Sequence, residues 1–307
     1  ETADDFSPIV SKDGKYIVFG SNRSGTTRIW RADIDGKNSK QLTEENPASG
    51  DYNHVITADS KYVIFNNAFV GDKQPSALLK ISIEGGQASV VHSKEGFSSF
   101  QPQLSPDNKT IAYTAYNINN FEKKLYLAEF DGNQIGKEIR TLEYNLINRF
   151  FWSPDGKRIA FIFGDFGTRI FNLDTPYSEQ TAVEVPPLEN GSVFEVWSWS
   201  PDGKYLAGNV RNSAGKKAGM LLYSPETRQF RKISDQGNDP VWLSDNRRIL
   251  FYLDGKIHLM DIQTGRTRQI LSLTTGDLGQ FELSRDNRTI YFGIETQESD
   301  IWMATAE

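Results

Sequence analysis

The sequence predicts an all-β fold, a seven-bladed β-propeller of four-stranded antiparallel blades. Three observations predict it. A turn phrase recurs seven times in 307 residues, apolar runs of β character flank every copy, and no long segment has helical periodicity. The phrase reads SPDGK at Ser153–Lys157 and Ser200–Lys204, and SKDGK at Ser11–Lys15. Aligning on its aspartate recovers Asp13, Asp59, Asp107, Asp155, Asp202, Asp245 and Asp286, spaced by 46, 48, 48, 47, 43 and 41 residues.

Each repeat is read in order. A short run such as PIV, HVI, FFW or PVW is the first strand. The turn follows. After its aspartate come Gly14, Ser60, Asn108, Gly156, Gly203, Asn246 and Asn287, mostly residues that tolerate positive φ. The second strand is strongly apolar, as in YIVF, YVIF, TIAY, RIAF and RILF. Two such runs around an Asp-Gly or Asp-Asn turn form a β-hairpin. A third run, such as RIWRADI or KIHLMDI, and a fourth, such as SKQLT or TRQIL, complete a blade. One domain over 1–307 is expected, with repeats at 6–46, 52–96, 100–145, 149–191, 195–237, 238–276 and 279–307. The last repeat stops at its third strand, DIWMATAE, so the last blade is expected to lack its fourth strand within this chain. The missing strand is expected upstream of Glu1, closing the ring.

Composition narrows the function classes. There is no cysteine, which removes disulfides, thiol nucleophiles and cysteine-ligated zinc. The net charge of −6 has both signs interspersed, and no basic stripe invites nucleic acid. No run approaches the roughly 20 apolar residues of a membrane span. No HExxH, GxSxG or GxxxxGK[ST] motif occurs. DIDGKN, Asp33–Asn38, opens like a calcium loop but lacks the distal glutamate, and reads as a hairpin turn. His258 and His92 fall on blade strands and read as packed residues.

The repeat FSPIVSKDGKYIVFGSNRSGTTRIWRADIDGKNSKQLT, Phe6–Thr43, with WSPDGKRIAF and WSPDGKYLA, resembles the TolB-type, WD-like β-propellers of bacteria. The resemblance covers nearly the whole chain. That family includes a periplasmic protein that docks partners, the sensor ends of membrane-anchored kinases and regulators, and some catalytic propellers. The ending SDIWMATAE resembles the C-terminal propellers of such sensors. The resemblance implies an extracytoplasmic, bacterial binding or sensing module. It would be a monomer, and a tether through a preceding region is the expected link to the membrane.

The expected site is the channel mouth, where the first strands begin. The position four before the conserved Ser forms a ring of Ser7, Asn53, Gln101, Arg149, Val196, Asp239 and Gln280. His54, Glu195 and Glu282 neighbour that ring. The expected ligand-binding set is therefore Asn53, His54, Gln101, Arg149, Glu195, Asp239, Gln280 and Glu282. Phe69, Tyr116, Phe121 and Phe166 lie in the variable loops of the same face and are candidate partner anchors. The partner expected is a protein, peptide or small polar ligand. No catalytic residue, cofactor or metal is assigned. The alternative is a carbohydrate-active or hydrolytic enzyme using His54 and the channel carboxylates.

Overall fold

The computed structural model describes residues 4–44, 46–69, 74–142, 147–175, 182–272, 277–284, 286–295 and 301–305. The chain divides into two compact units, one of Glu1–Asn145 with Thr274–Glu307, the other of Leu146–Leu273.

The first unit holds four sheets. The first is β1 (Asp5–Val10), β2 (Tyr16–Ser21), β3 (Arg28–Asp33) and β4 (Lys40–Gln41). The second is β5 (Ser49–Ile56), β6 (Tyr62–Phe69), β7 (Leu78–Ser82) and β8 (Ser89–His92). The third is β9 (Phe97–Leu104), β10 (Thr110–Asn117), β11 (Lys123–Phe130) and β12 (Ile135–Leu142). The second unit holds β13 (Ile147–Trp152), β14 (Arg158–Phe163), β15 (Thr168–Asn172) and β16 (Val183–Glu184) as one sheet. Its next sheet is β17 (Val193–Trp199), β18 (Leu206–Arg211), β19 (Lys217–Ser224) and β20 (Gln229–Ser234). Its last is β21 (Asn238–Trp242), β22 (Arg248–Leu253), β23 (Lys256–Asp261) and β24 (Thr267–Ser272). The chain then returns to the first unit with β25 (Asp277–Leu283), β26 (Thr289–Glu295) and β27 (Ile301–Thr305). Every sheet is an antiparallel meander of consecutive strands, the blade arrangement of a β-propeller.

Among the described residues, the expected seven blades are corrected to six four-stranded blades, with a further sheet of three strands, β25 to β27. The reason is what the turn phrase reports. It marks the hairpin between the first and second strands, so it counts hairpins and not complete blades. Its seventh copy joins only β25 to β26.

The second strands explain the apolar runs. Val18, Val63, Ile64, Ile111 and Ala112 have no exposed surface, nor do Ile159, Ala160, Leu206, Ala207 and Ile249. Consecutive residues are buried because a middle strand of a stacked blade is covered on both faces. In the first unit Val18, Ile29 and Leu42 pack with Ile56, Val63 and Ile81 of the next blade. In the second, Ala160, Ile162 and Ile170 pack with Phe194, Val196, Leu206 and Leu221. The final sheet also packs on the first. Tyr291 is buried with Ile17, Phe19 and Ala32. At Gly293 a Cβ would lie 2.6 Å from the Asp5 carbonyl oxygen.

The turn phrase has one physical content. The residue after each aspartate is left-handed, with φ of 71, 58, 57, 70, 70, 56 and 56° at Gly14, Ser60, Asn108, Gly156, Gly203, Asn246 and Asn287. The preceding hydroxyl donates to the aspartate, as in Ser11–Asp13 at 2.7 Å and Ser105–Asp107 at 2.6 Å. It also accepts the amide that opens the second strand, at 3.0 Å for both Tyr16 and Thr110. The Ser11, Ser105 and Ser284 hydroxyls hold Asp13, Asp107 and Asp286 below the usual carboxylate range. The second copy keeps this turn because Thr57 supplies the hydroxyl. The sixth does not. Leu243 stands there, and Asp245 itself accepts from the amides of Arg247 and Arg248. Asp33–Asn38 is the β3–β4 turn, with Gly36 and Asn38 left-handed and Asn38 Nδ2 donating to Asp33 at 2.6 Å.

Candidate functional site: a cation–aromatic cluster at the strand starts

The first strand of each sheet is bulged near its start. Pairing with the second strand shifts between Phe6 and Ile9, Tyr52 and Val55, Ile147 and Phe150, Val196 and Ser198, Asn238 and Val241, and Leu278 and Phe281. Four bulge residues are left-handed without being glycine: Ser7, Asn53, Gln101 and Asp239, with φ of 51, 47, 53 and 58°. These belong to the ring aligned from sequence. Such conformations cost free energy and re-aim a side chain out of the sheet alternation.

In the first unit, Asn53 is exposed and donates through Nδ2 to Asn66 Oδ1 at 2.9 Å. Gln101 accepts from the Thr114 hydroxyl at 3.2 Å. His54 is buried, 6 % exposed, with Nε2 3.2 Å from the Val18 carbonyl. Burial lowers its pKa to about 4, so it is neutral at neutral pH. The Glu282 side chain keeps surface open to solvent, while loss of hydration to the surrounding chain pushes its carboxyl up to about 7. The Gln280 side chain lies outside the described residues.

In the second unit Arg149 and Asp239 meet in a charged cluster. Arg149, exposed on β13, places its guanidinium 4.5 Å from the Trp197 ring centroid on β17. Lys217, which opens β19, lies 5.5 Å from the same ring and 2.6 Å from Asp239 Oδ1. Asp239 is held by buried Asn209, whose Nδ2 donates to its carboxylate at 3.1 Å and whose Oδ1 accepts its amide at 3.0 Å. Glu195 pairs with Arg211, which also reaches Asp165 at 3.2 Å. Asp165 sits in the short 3-10 turn Gly164–Phe166 between β14 and β15. Arg149 and Asp239 are thus linked through Trp197 and Lys217.

Trp197, Lys217, Asn209 and Arg211 were not singled out from sequence. Trp197 had a signal, being the one tryptophan in a column otherwise holding Pro8, His54, Pro102, Phe150, Pro240 and Phe281. Lys217 had none, because it follows a loop of variable length.

The loop aromatics divide by exposure. Phe121 is left-handed and 74 % exposed, and Phe166 is 58 % exposed. Tyr116 is half-buried, stacked 5.3 Å from Phe100 and tilted 6.0 Å from Phe121. Phe166 stacks 5.6 Å from Phe163, and Arg169 lies 4.1 Å over Phe163. Phe69 is half-buried at the end of β6. His258 stacks on Phe251 at 5.3 Å and His92 packs on Tyr113 at 4.6 Å, as expected of blade residues. Among the described residues no group of three or more His, Asp and Glu could hold a metal ion. Among them, too, no helix is long and apolar enough to cross a membrane.

No family model matches the chain. A TolB homolog of Chlorobium chlorochromatii is 30 % identical over 149 residues, 48 % of this chain and 31 % of that protein. The chain has a TolB-like propeller fold. TolB from Acinetobacter baumannii superposes with a TM-score of 0.55 at 17 % identity, over 90 % of this chain and 65 % of that one. Dipeptidyl-peptidase 5 of Porphyromonas gingivalis is 23 % identical over 335 aligned positions, covering 96 % of this chain and 45 % of the peptidase. An oligogalacturonate lyase in complex with manganese superposes with a TM-score of 0.76 at 14 % identity, covering 100 % of this chain and 90 % of the lyase. At such identities the structural likenesses show the fold alone. The chain spans less than half the length of the curated relatives it matches.

Proposed function

We propose that this TolB-like chain is a non-catalytic binding or sensing module, extracytoplasmic in a bacterium, that engages a protein, peptide or small polar ligand. The observation that carries this reading is the exposure of Phe121 and Phe166 at loop tips. Each touches one neighbouring ring, Tyr116 tilted against Phe121 and Phe163 stacked on Phe166, and neither is buried in a blade. Exposed aromatic side chains on loops are the residue type that anchors partners at interfaces. The resemblance to a TolB homolog supports the location and the class.

The enzymatic alternative drew on His54 and the carboxylates. His54 is buried against a carbonyl, and Glu195 and Asp239 are each paired with a cation, so these three serve packing and charge balance in their units. The test is affinity capture from bacterial envelope extract with the wild type, Phe121→Ser and Phe166→Ser. A partner retained by the wild type and lost by one folded loop variant is the expected result. Retention unchanged by both variants would overturn the loop assignment.

A further inference from the structure

We infer that Arg149 and Trp197 form a seat for a single carboxylate group of the ligand, an inference that rests on the binding reading above. The pairing of charges leads to it. The second unit holds the cations Arg149, Lys217 and Arg211 and the carboxylates Asp165, Glu195 and Asp239 in the contacts above. Arg211 takes two of the carboxylates and Lys217 takes the third. Among the described residues, no carboxylate lies within ion-pair distance of Arg149, whose recorded partner is the Trp197 ring.

A guanidinium stacked on an indole is oriented without using its N–H donors. It therefore offers its fork to solvent, the geometry that accepts a carboxylate through two parallel hydrogen bonds. The ring is shared with Lys217, which adds a second positive charge near the seat. That second charge is restrained by Asp239, itself kept in a left-handed bulge by Asn209. The Asp239 carboxylate on Lys217 disfavours a dianion, so a monoanionic carboxylate fits better than phosphate. The carboxylate can belong to a peptide side chain or to a free small acid.

The experiment follows the Trp197 indole N–H by NMR, assigned with Trp197→Phe, in the intact chain. The probes are a blocked Gly-Glu-Gly peptide, free propionate and inorganic phosphate. A saturable shift with either carboxylate is expected, at least tenfold weaker in Arg149→Gln. Binding should be intermediate in Arg149→Lys, which keeps charge but not the fork. Asp239→Asn should bind more tightly, because it releases Lys217; a merely structural Asp239 would not give that gain. Response to the peptide alone assigns the seat to a peptide, and response to propionate as well assigns it to small acids too. No response to either carboxylate, phosphate binding as tight as carboxylate, or an unchanged titration in Arg149→Gln would overturn the proposal. In that event, partner capture still sensitive to Phe121→Ser or Phe166→Ser would leave the binding reading standing.

Discussion

The imidazole Nε2 of His54 lies 3.2 Å from the carbonyl oxygen of Val18, joining the first strand of one blade to the second strand of its neighbour. The ring is buried and neutral, and this makes stability depend on pH. An unfolded imidazole takes up its proton near 6.5, the folded one only near about 4. Between those values the unfolded chain binds more protons, so stability falls as pH drops from 6.5 to about 4 and this contribution levels off below. The full loss is on the order of 3 kcal/mol. Denaturant melts of the wild type and His54→Gln across pH 4 to 7 check it, since the variant should lack that slope.

The Arg28 guanidinium is wholly buried, bonded to Asp51 at 3.2 Å and to the Asn46 carbonyl at 2.5 Å. Asp51→Ala removes one counter-charge of this buried cation. A loss of about 3–5 kcal/mol is expected. The double variant Arg28→Met/Asp51→Leu should lose less, because the buried cation leaves together with its Asp51 partner. Equilibrium unfolding of the three proteins gives the comparison.

Ser153→Ala deletes a hydroxyl that donates to Asp155 at 2.5 Å and accepts the Arg158 amide at 2.9 Å. The cost should be about 1–2 kcal/mol in urea melts. In the sixth turn Asp245 bonds both amides itself, so Asp245→Ala should cost more than Asp13→Ala, where Ser11 still holds the Tyr16 amide.

Gly293 leaves room for the Asp5 carbonyl where the last sheet meets the first. A Val at this position must push β26 away from β1, at a cost of about 1–3 kcal/mol. Gly293→Val should also raise protease sensitivity within residues 277–305, read by limited proteolysis and mass spectrometry.

The sequence by itself determined the hairpins and their turns. Steric rules are local: Gly, Asn or Ser after each aspartate set the left-handed residue, and the apolar quartets set which strand lies in the middle. It also aligned the bulge positions, because Ser7, Asn53, Gln101 and Asp239 stand at one distance from the turn. It read seven blades, the last short of its fourth strand, where six four-stranded sheets and one three-stranded sheet are described. Only the tertiary structure decided what the polar residues do. His54 and Asn53 are neighbours in the chain, yet one is buried against Val18 and the other is exposed, which depends on the side to which a bulged strand turns each residue. Arg149, Trp197, Lys217 and Asp239 are brought together from four strands. Which cation is left over is a sum over all their pairings, and no local pattern carries that sum.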